Sequence, residues 1–105
     1  MAYRLRLAAR AERDINDFLD WLAEFSPEVA ARHERDLSAS IRDHLLVRPH
    51  MWQFFFLTGE PYRAYLYNVS RRTSYWLVYT IDEAARTVDV LRFWNSARDP
   101  ATFDV

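Results

Sequence analysis

The chain is 105 residues long, half hydrophobic and 16% aromatic, with a formal net charge of −1; that length suits one domain, 1–105, around a single core. The near-neutral charge supplies no global field toward nucleic acid or a membrane. The absence of cysteine and lysine removes disulfides, thiol catalysis, cysteine-ligated zinc and any lysine general base.

Tyr3, Leu5 and Leu7 alternate with Arg4 and Arg6, a period of two that predicts a short strand with one buried face. From Ala9 the period lengthens. Ala11, Ile15, Phe18, Leu22 and Phe25 form one stripe with Leu19 beside it, as on an amphipathic helix whose remaining surface is mostly acidic. Ser26-Pro27-Glu28 is a restart: a capping hydroxyl, a proline suited to the first helical position, and an acid at the positive end of the dipole. A second helix then carries Ala30, Leu37, Ile41 and Leu45 on one face and ends near Arg48-Pro49, completing a helical hairpin.

The segment from His50 to Leu57 reads either as an extended approach to a sheet or as a strand interrupted before Tyr62. Thr58-Gly59-Glu60-Pro61 reads as a turn around the only glycine. The other turns must therefore use Asn68, Ser70, Asp82 and similar residues. Three aromatic and β-branched runs follow, Tyr62–Asn68, Ser74–Ile81 and Val88–Trp94, which predict an antiparallel meander. The first strand is expected to join that sheet, because a lone strand cannot satisfy its backbone. The expected fold is α+β: a two-layer domain of order β-α-α-β-β-β, with a helical hairpin packed on one face of a mostly antiparallel sheet. No apolar run reaches the roughly 18 residues of a membrane span, and the amino terminus alternates too regularly for a signal peptide core. The expected location is cytoplasmic.

Period-two alternation sorts the meander residues into faces. Ala64, Leu66, Leu91 and Phe93 are assigned to the helices. Arg63, Tyr65, Tyr67, Arg92 and Trp94 are assigned to the opposite face, where interleaved arginines and aromatics suit a docked protein segment or stacked bases. The bland alternative is that arginine stems simply lie across aromatics that cover the sheet. So large an apolar face favours a partner, and the near-neutral charge disfavours bare nucleic acid held by its phosphates. Arg71-Arg72, between two strands, reads as a solvated hairpin tip.

Catalytic signals are weak. His33, His44 and His50 lack the i, i+4 spacing of a helical zinc site, so no metal is expected, and His33 reads as a boundary residue. With one glycine no phosphate-cradling loop is available, and no cofactor is expected.

The chain resembles the RelE/ParE superfamily of toxins from bacterial toxin–antitoxin modules. The resemblance rests on Tyr3-Arg4-Leu5-Arg6-Leu7 followed by Ala8-Ala9-Arg10-Ala11-Glu12-Arg13-Asp14-Ile15, on Tyr62-Arg63, on Val78-Tyr79, and on the closing run Val90-Leu91-Arg92-Phe93-Trp94-Asn95-Ser96-Ala97-Arg98-Asp99-Pro100. It implies a toxin neutralised by a small cognate antitoxin that wraps it with a helix and an extended segment. RelE-like members cut mRNA on the ribosome, whereas ParE-like members poison DNA gyrase. Asn95 stands where many relatives carry a histidine, and asparagine cannot exchange a proton near neutral pH. The nuclease lysines are missing too.

The resulting expectation is a ParE-like toxin acting by protein binding, with Arg63, Tyr65, Tyr67, Arg92, Trp94, Asn95 and Arg98 as the partner surface. An mRNA interferase with Arg63, Arg92 and Arg98 around the scissile phosphate is the enzymatic alternative. An inactive toxin-fold interaction module is the third.

Overall fold

The computed structural model describes residues 2–55 and 61–105. The elements are β1 (Arg4–Leu7), α1 (Ala9–Phe25), α2 (Pro27–Ser40), β2 (Arg63–Asn68), β3 (Ser74–Asp82) and β4 (Thr87–Asn95). They form a sheet of order β1-β4-β3-β2, in which β1 runs parallel to β4 and the other pairs are antiparallel. The expected α+β order is the observed one. Phe56, Leu57 and the turn expected at Thr58-Gly59-Glu60 lie outside the described residues.

The Ser26 junction works as its chemistry predicts. Val29 N–H donates to Ser26 Oγ at 3.2 Å, Pro27 opens α2, and Glu28 sits in the first turn. Beyond Ser40 the helix widens into a π turn, Ile41–Leu45, closed by a bond from Leu46 N–H to Ile41 O at 2.9 Å. Ile41 and Leu45 stay buried through it. Pro49–Met51 then makes a tight 3-10 turn, and the chain runs extended past the start of β2. There Phe55 N–H donates to Tyr62 O at 2.8 Å and Ala64 N–H to Gln53 O at 2.9 Å, so the interrupted-strand reading of this segment is the better one.

Two hydrophobic clusters sandwich the sheet. On the helix side, Ala11, Phe18 and Leu22 of α1 and Ala30 and Leu37 of α2 meet Tyr67, Leu77, Tyr79, Val88, Val90 and Phe93. Phe18 is the hub, with ring centroids 4.9 Å from Tyr75 and 5.3 Å from Phe93. Each fully buried side chain of this kind contributes about 1.5–3 kcal/mol. On the far side, Phe55, Ala64, Val78 and Trp94 are covered by Tyr62, Trp76 and Phe103.

This arrangement corrects the face assignment. Tyr65 and Tyr67 point toward the helices and Ala64 away from them, the reverse of the expectation for β2. Leu66 is exposed on the far face. In β4 the alternation itself breaks. Tyr79 pairs with Val90 and Val78 with Arg92, so Leu91 is the extra residue of a β-bulge, which resets the side-chain period. Val88 and Val90 therefore share the helix face with Phe93, while Arg92 and Trp94 lie opposite. The segment at Phe55 and the tail at Phe103 cover Ala64, Val78 and Trp94 on the far face. Phe25, expected in the buried stripe, is 73% exposed, because α1 ends at it. His33 is buried rather than at the boundary.

The Arg71-Arg72 tip is exposed. Asp82 serves the β3–β4 turn, accepting from Ala85 N–H at 3.0 Å. Arg86, with φ 56°, takes the left-handed position that a glycine would occupy at less cost. Its guanidinium lies 4.3 Å from the centre of the Tyr3 ring.

Candidate functional site: the carboxyl end of strand β4

The bulge at Leu91 turns Arg92 and Trp94 to the far face just where β1 has ended, since β1 pairs only with Thr87–Val90 of β4. Arg92 fills the resulting gap. Its Nε donates to Asp14 Oδ2 of α1 at 2.7 Å and its Nη1 to Asp104 Oδ1 at 2.9 Å and Asp104 O at 2.8 Å. Asp14 Oδ2 also accepts from Phe93 N–H at 3.1 Å. The Asp14 hydrogen bond, followed by the charges of Asp14 and Asp104, raises the guanidinium's affinity for its proton. Arg10 reaches Asp104 at 3.2 Å; its hydrogen bond is the main reason the Asp104 carboxyl lies below its ordinary range, with Arg92 adding to it.

Trp94 is buried under Phe103, with ring centroids 5.1 Å apart, and the Arg98 guanidinium sits 4.1 Å from its ring centre, a cation–π geometry. Asn95 Oδ1 accepts from Ala97 N–H at 2.9 Å, which shapes the turn that presents Arg98. Arg98 itself is exposed.

Between α1 and the ends of β3 and β4 lies an open cleft of about 290 Å³. Phe18, Tyr75 and Phe93 form its aromatic walls, Trp21 its rim, and Asp14, Asp17, Asn95 and Arg98 its polar border. Tyr75 stacks on Phe93 at 4.5 Å with the rings nearly parallel. Burial pushes the Tyr75 phenol above its usual range, with a hydrogen bond to Asn95 opposing the shift. A phenol so placed stays protonated at neutral pH and is a poor general base. No histidine borders the cleft.

Of the seven sequence-predicted residues, Asn95 and Arg98 border this cleft, while Arg92 and Trp94 are buried at the same end of β4. The other three lie elsewhere. Arg63 Nη1 donates to His50 O at 3.1 Å and Trp52 O at 2.8 Å, tying the loop to β2, and its guanidinium lies over Phe54. Tyr65 packs edge-on against Trp52 at 4.7 Å. Tyr67 is buried, its hydroxyl 2.7 Å from His33 Nδ1, and desolvation pushes its phenol up to about 12. Asp14, Asp17, Trp21 and Tyr75 were not singled out from the sequence. The usable signal was Trp21, off the apolar stripe of α1 with acids one and four residues before it.

Among the described residues, no group of three or more histidines and carboxylates is placed to hold a metal ion, and no helix is long and apolar enough to cross a membrane.

The fold is similar to that of chains in two solved assemblies. One is the toxin–antitoxin complex RelBE2 from Mycobacterium tuberculosis, with a TM-score of 0.59 and 21% identity over 90% of this chain and 99% of that one. The other is the chromosomal ParDE toxin–antitoxin system from P. aeruginosa, with a TM-score of 0.64 and 14% identity over 90% of this chain and 96% of that one. No curated protein sequence matches. The family described as ParE toxin of the type II toxin–antitoxin system, parDE, matches residues 5–100. Over nearly its whole length, therefore, the chain belongs to the ParE toxin family of type II toxin–antitoxin systems.

Proposed function

We propose that this protein is the toxin of a type II pair, held inactive by a cognate antitoxin and acting in the cytoplasm by binding DNA gyrase rather than by cleaving RNA. The observation that carries this reading is the occupation of the arginines. A nuclease would need Arg63, Arg92 and Arg98 turned toward a phosphate. Arg92 is buried and committed to Asp14 and Asp104, and Arg63 is committed to two backbone carbonyls. That leaves Arg98. Asn95 cannot carry a proton, and burial keeps the Tyr75 phenol protonated, which weakens it as a general base.

Expression of the chain alone should arrest growth, and co-expression with the product of the adjacent reading frame should restore it and give a co-purifying complex. Purified toxin should inhibit gyrase supercoiling and leave ribosome-bound mRNA intact. Cleavage of that mRNA, lost on Arg98→Ala, would overturn the choice of target.

A further inference from the structure

The carboxyl-terminal half of α1 carries a surface that the fold does not use. Trp21 is 46% exposed and Phe25 73% exposed, and their rings meet edge-on at 5.4 Å, forming one aromatic ridge in solvent. Side chains of this size are normally buried, and two together on a small domain mark an interaction surface. The ridge is flanked by acids. Between Arg13 and Arg32 the chain has Asp14, Asp17, Asp20, Glu24 and Glu28 and no basic residue. Asp14 is committed to Arg92 and to the Phe93 amide. Asp17, which borders the cleft beneath Trp21, has no hydrogen bond or ion pair among the described residues.

We infer that the Trp21–Phe25 ridge and its acidic flank are the docking site for a basic, apolar-anchored segment of the neutralising antitoxin. The apolar anchor covers the ridge, and an arginine or lysine enters the cleft between Trp21 and Asp17, where ring face and carboxylate both attract a cation. Arg98 on the opposite border confines that cation to the α1 side. Charge decides among occupants. A two-fold contact with a second copy would set Asp20 and Glu24 near their own equivalents, and an anionic membrane would be repelled by the same acids. A basic protein segment is attracted by them.

This inference rests on the toxin–antitoxin reading, so the test starts with the wild-type chain and the product of the adjacent reading frame. Failure of that pair to bind refutes the reading itself. Given binding, Trp21→Ala/Phe25→Ala and Asp17→Lys/Asp20→Lys are compared with Arg4→Ala at the start of β1, which pairs with the opposite end of β4 from the cleft, with folding checked by circular dichroism. Both ridge variants should bind the antitoxin about tenfold more weakly or worse. Wild-type affinity should fall with added salt. The inference is overturned by unchanged antitoxin affinity in both variants. It is also overturned by lost toxicity with antitoxin binding intact, which assigns the ridge to the target. A wild-type homodimer abolished by Trp21→Ala/Phe25→Ala overturns it too.

Discussion

Arg92 on β4 and Asp14 on α1 form an ion pair at 2.7 Å, with the arginine side chain almost completely buried. The same carboxylate caps the Phe93 amide, so one residue of α1 serves both the charge and the backbone of the bulged strand. Asp14→Ala should therefore cost up to about 3–5 kcal/mol, the range for breaking a buried pair, with Asp104 still bonded to the guanidinium. Replacing the pair together, as Asp14→Leu/Arg92→Met, should cost less than Asp14→Ala alone, because no charge remains uncompensated. Urea denaturation of the three chains checks both statements, and a double variant that loses more than Asp14→Ala would overturn the second.

His33 and Tyr67 give stability a pH dependence. Burial lowers the imidazole's proton affinity below its ordinary value of 6.5, with Arg32 adding to the effect and Asp36 opposing it. The unfolded chain then binds the proton more readily than the folded one, so this contribution is intact above about pH 6.5 and is lost as pH falls below it. The urea midpoint should drop between pH 7.5 and pH 5.5, and His33→Gln should flatten that part of the profile while lowering stability throughout. Tyr67→Phe, which removes the hydroxyl 2.7 Å from the ring nitrogen, should cost about 1–3 kcal/mol.

The tail residue Phe103 closes the far face of the sheet. It touches Phe55 at 4.8 Å and Trp94 at 5.1 Å between ring centroids, and neighbouring Asp104 bonds to Arg92. Phe103→Ala should lower stability by about 2 kcal/mol and shift tryptophan emission to the red as Trp94 gains water. A chain truncated before Pro100 should show the same shift. An unchanged spectrum in both would mean that the tail does not cover Trp94 in solution.

Tyr75 separates binding from proton transfer at the cleft. If toxicity works by binding, Tyr75→Phe keeps the ring stack on Phe93 and should leave growth arrest within about threefold of wild type, under 1 kcal/mol. A nuclease using this phenol would lose orders of magnitude. The dose of inducer needed for arrest measures the difference.

By itself the sequence determined the elements, their order and the helix stripe. Those depend on local chemistry: the period of two before Leu7, the change of period at Ala9, the Ser26-Pro27-Glu28 cap, and the β-branched runs after Tyr62. Its closing run from Val90 to Pro100 also marked the family and led to Arg92, Trp94, Asn95 and Arg98. Only the tertiary structure decided which face was which. Alternation in a strand separates two sets of side chains, but it is symmetric between them, and nothing in Arg63–Asn68 says which set meets the helices. Tyr65 and Tyr67 pack with the helix-side core, whereas small Ala64 sits with Phe55 and Trp94 on the far side. The bulge at Leu91 is likewise a property of pairing with β3, and through it Arg92 was brought to Asp14 rather than to a partner. A buried ion pair between positions 78 residues apart leaves no local pattern, because the attraction depends on distance in space alone.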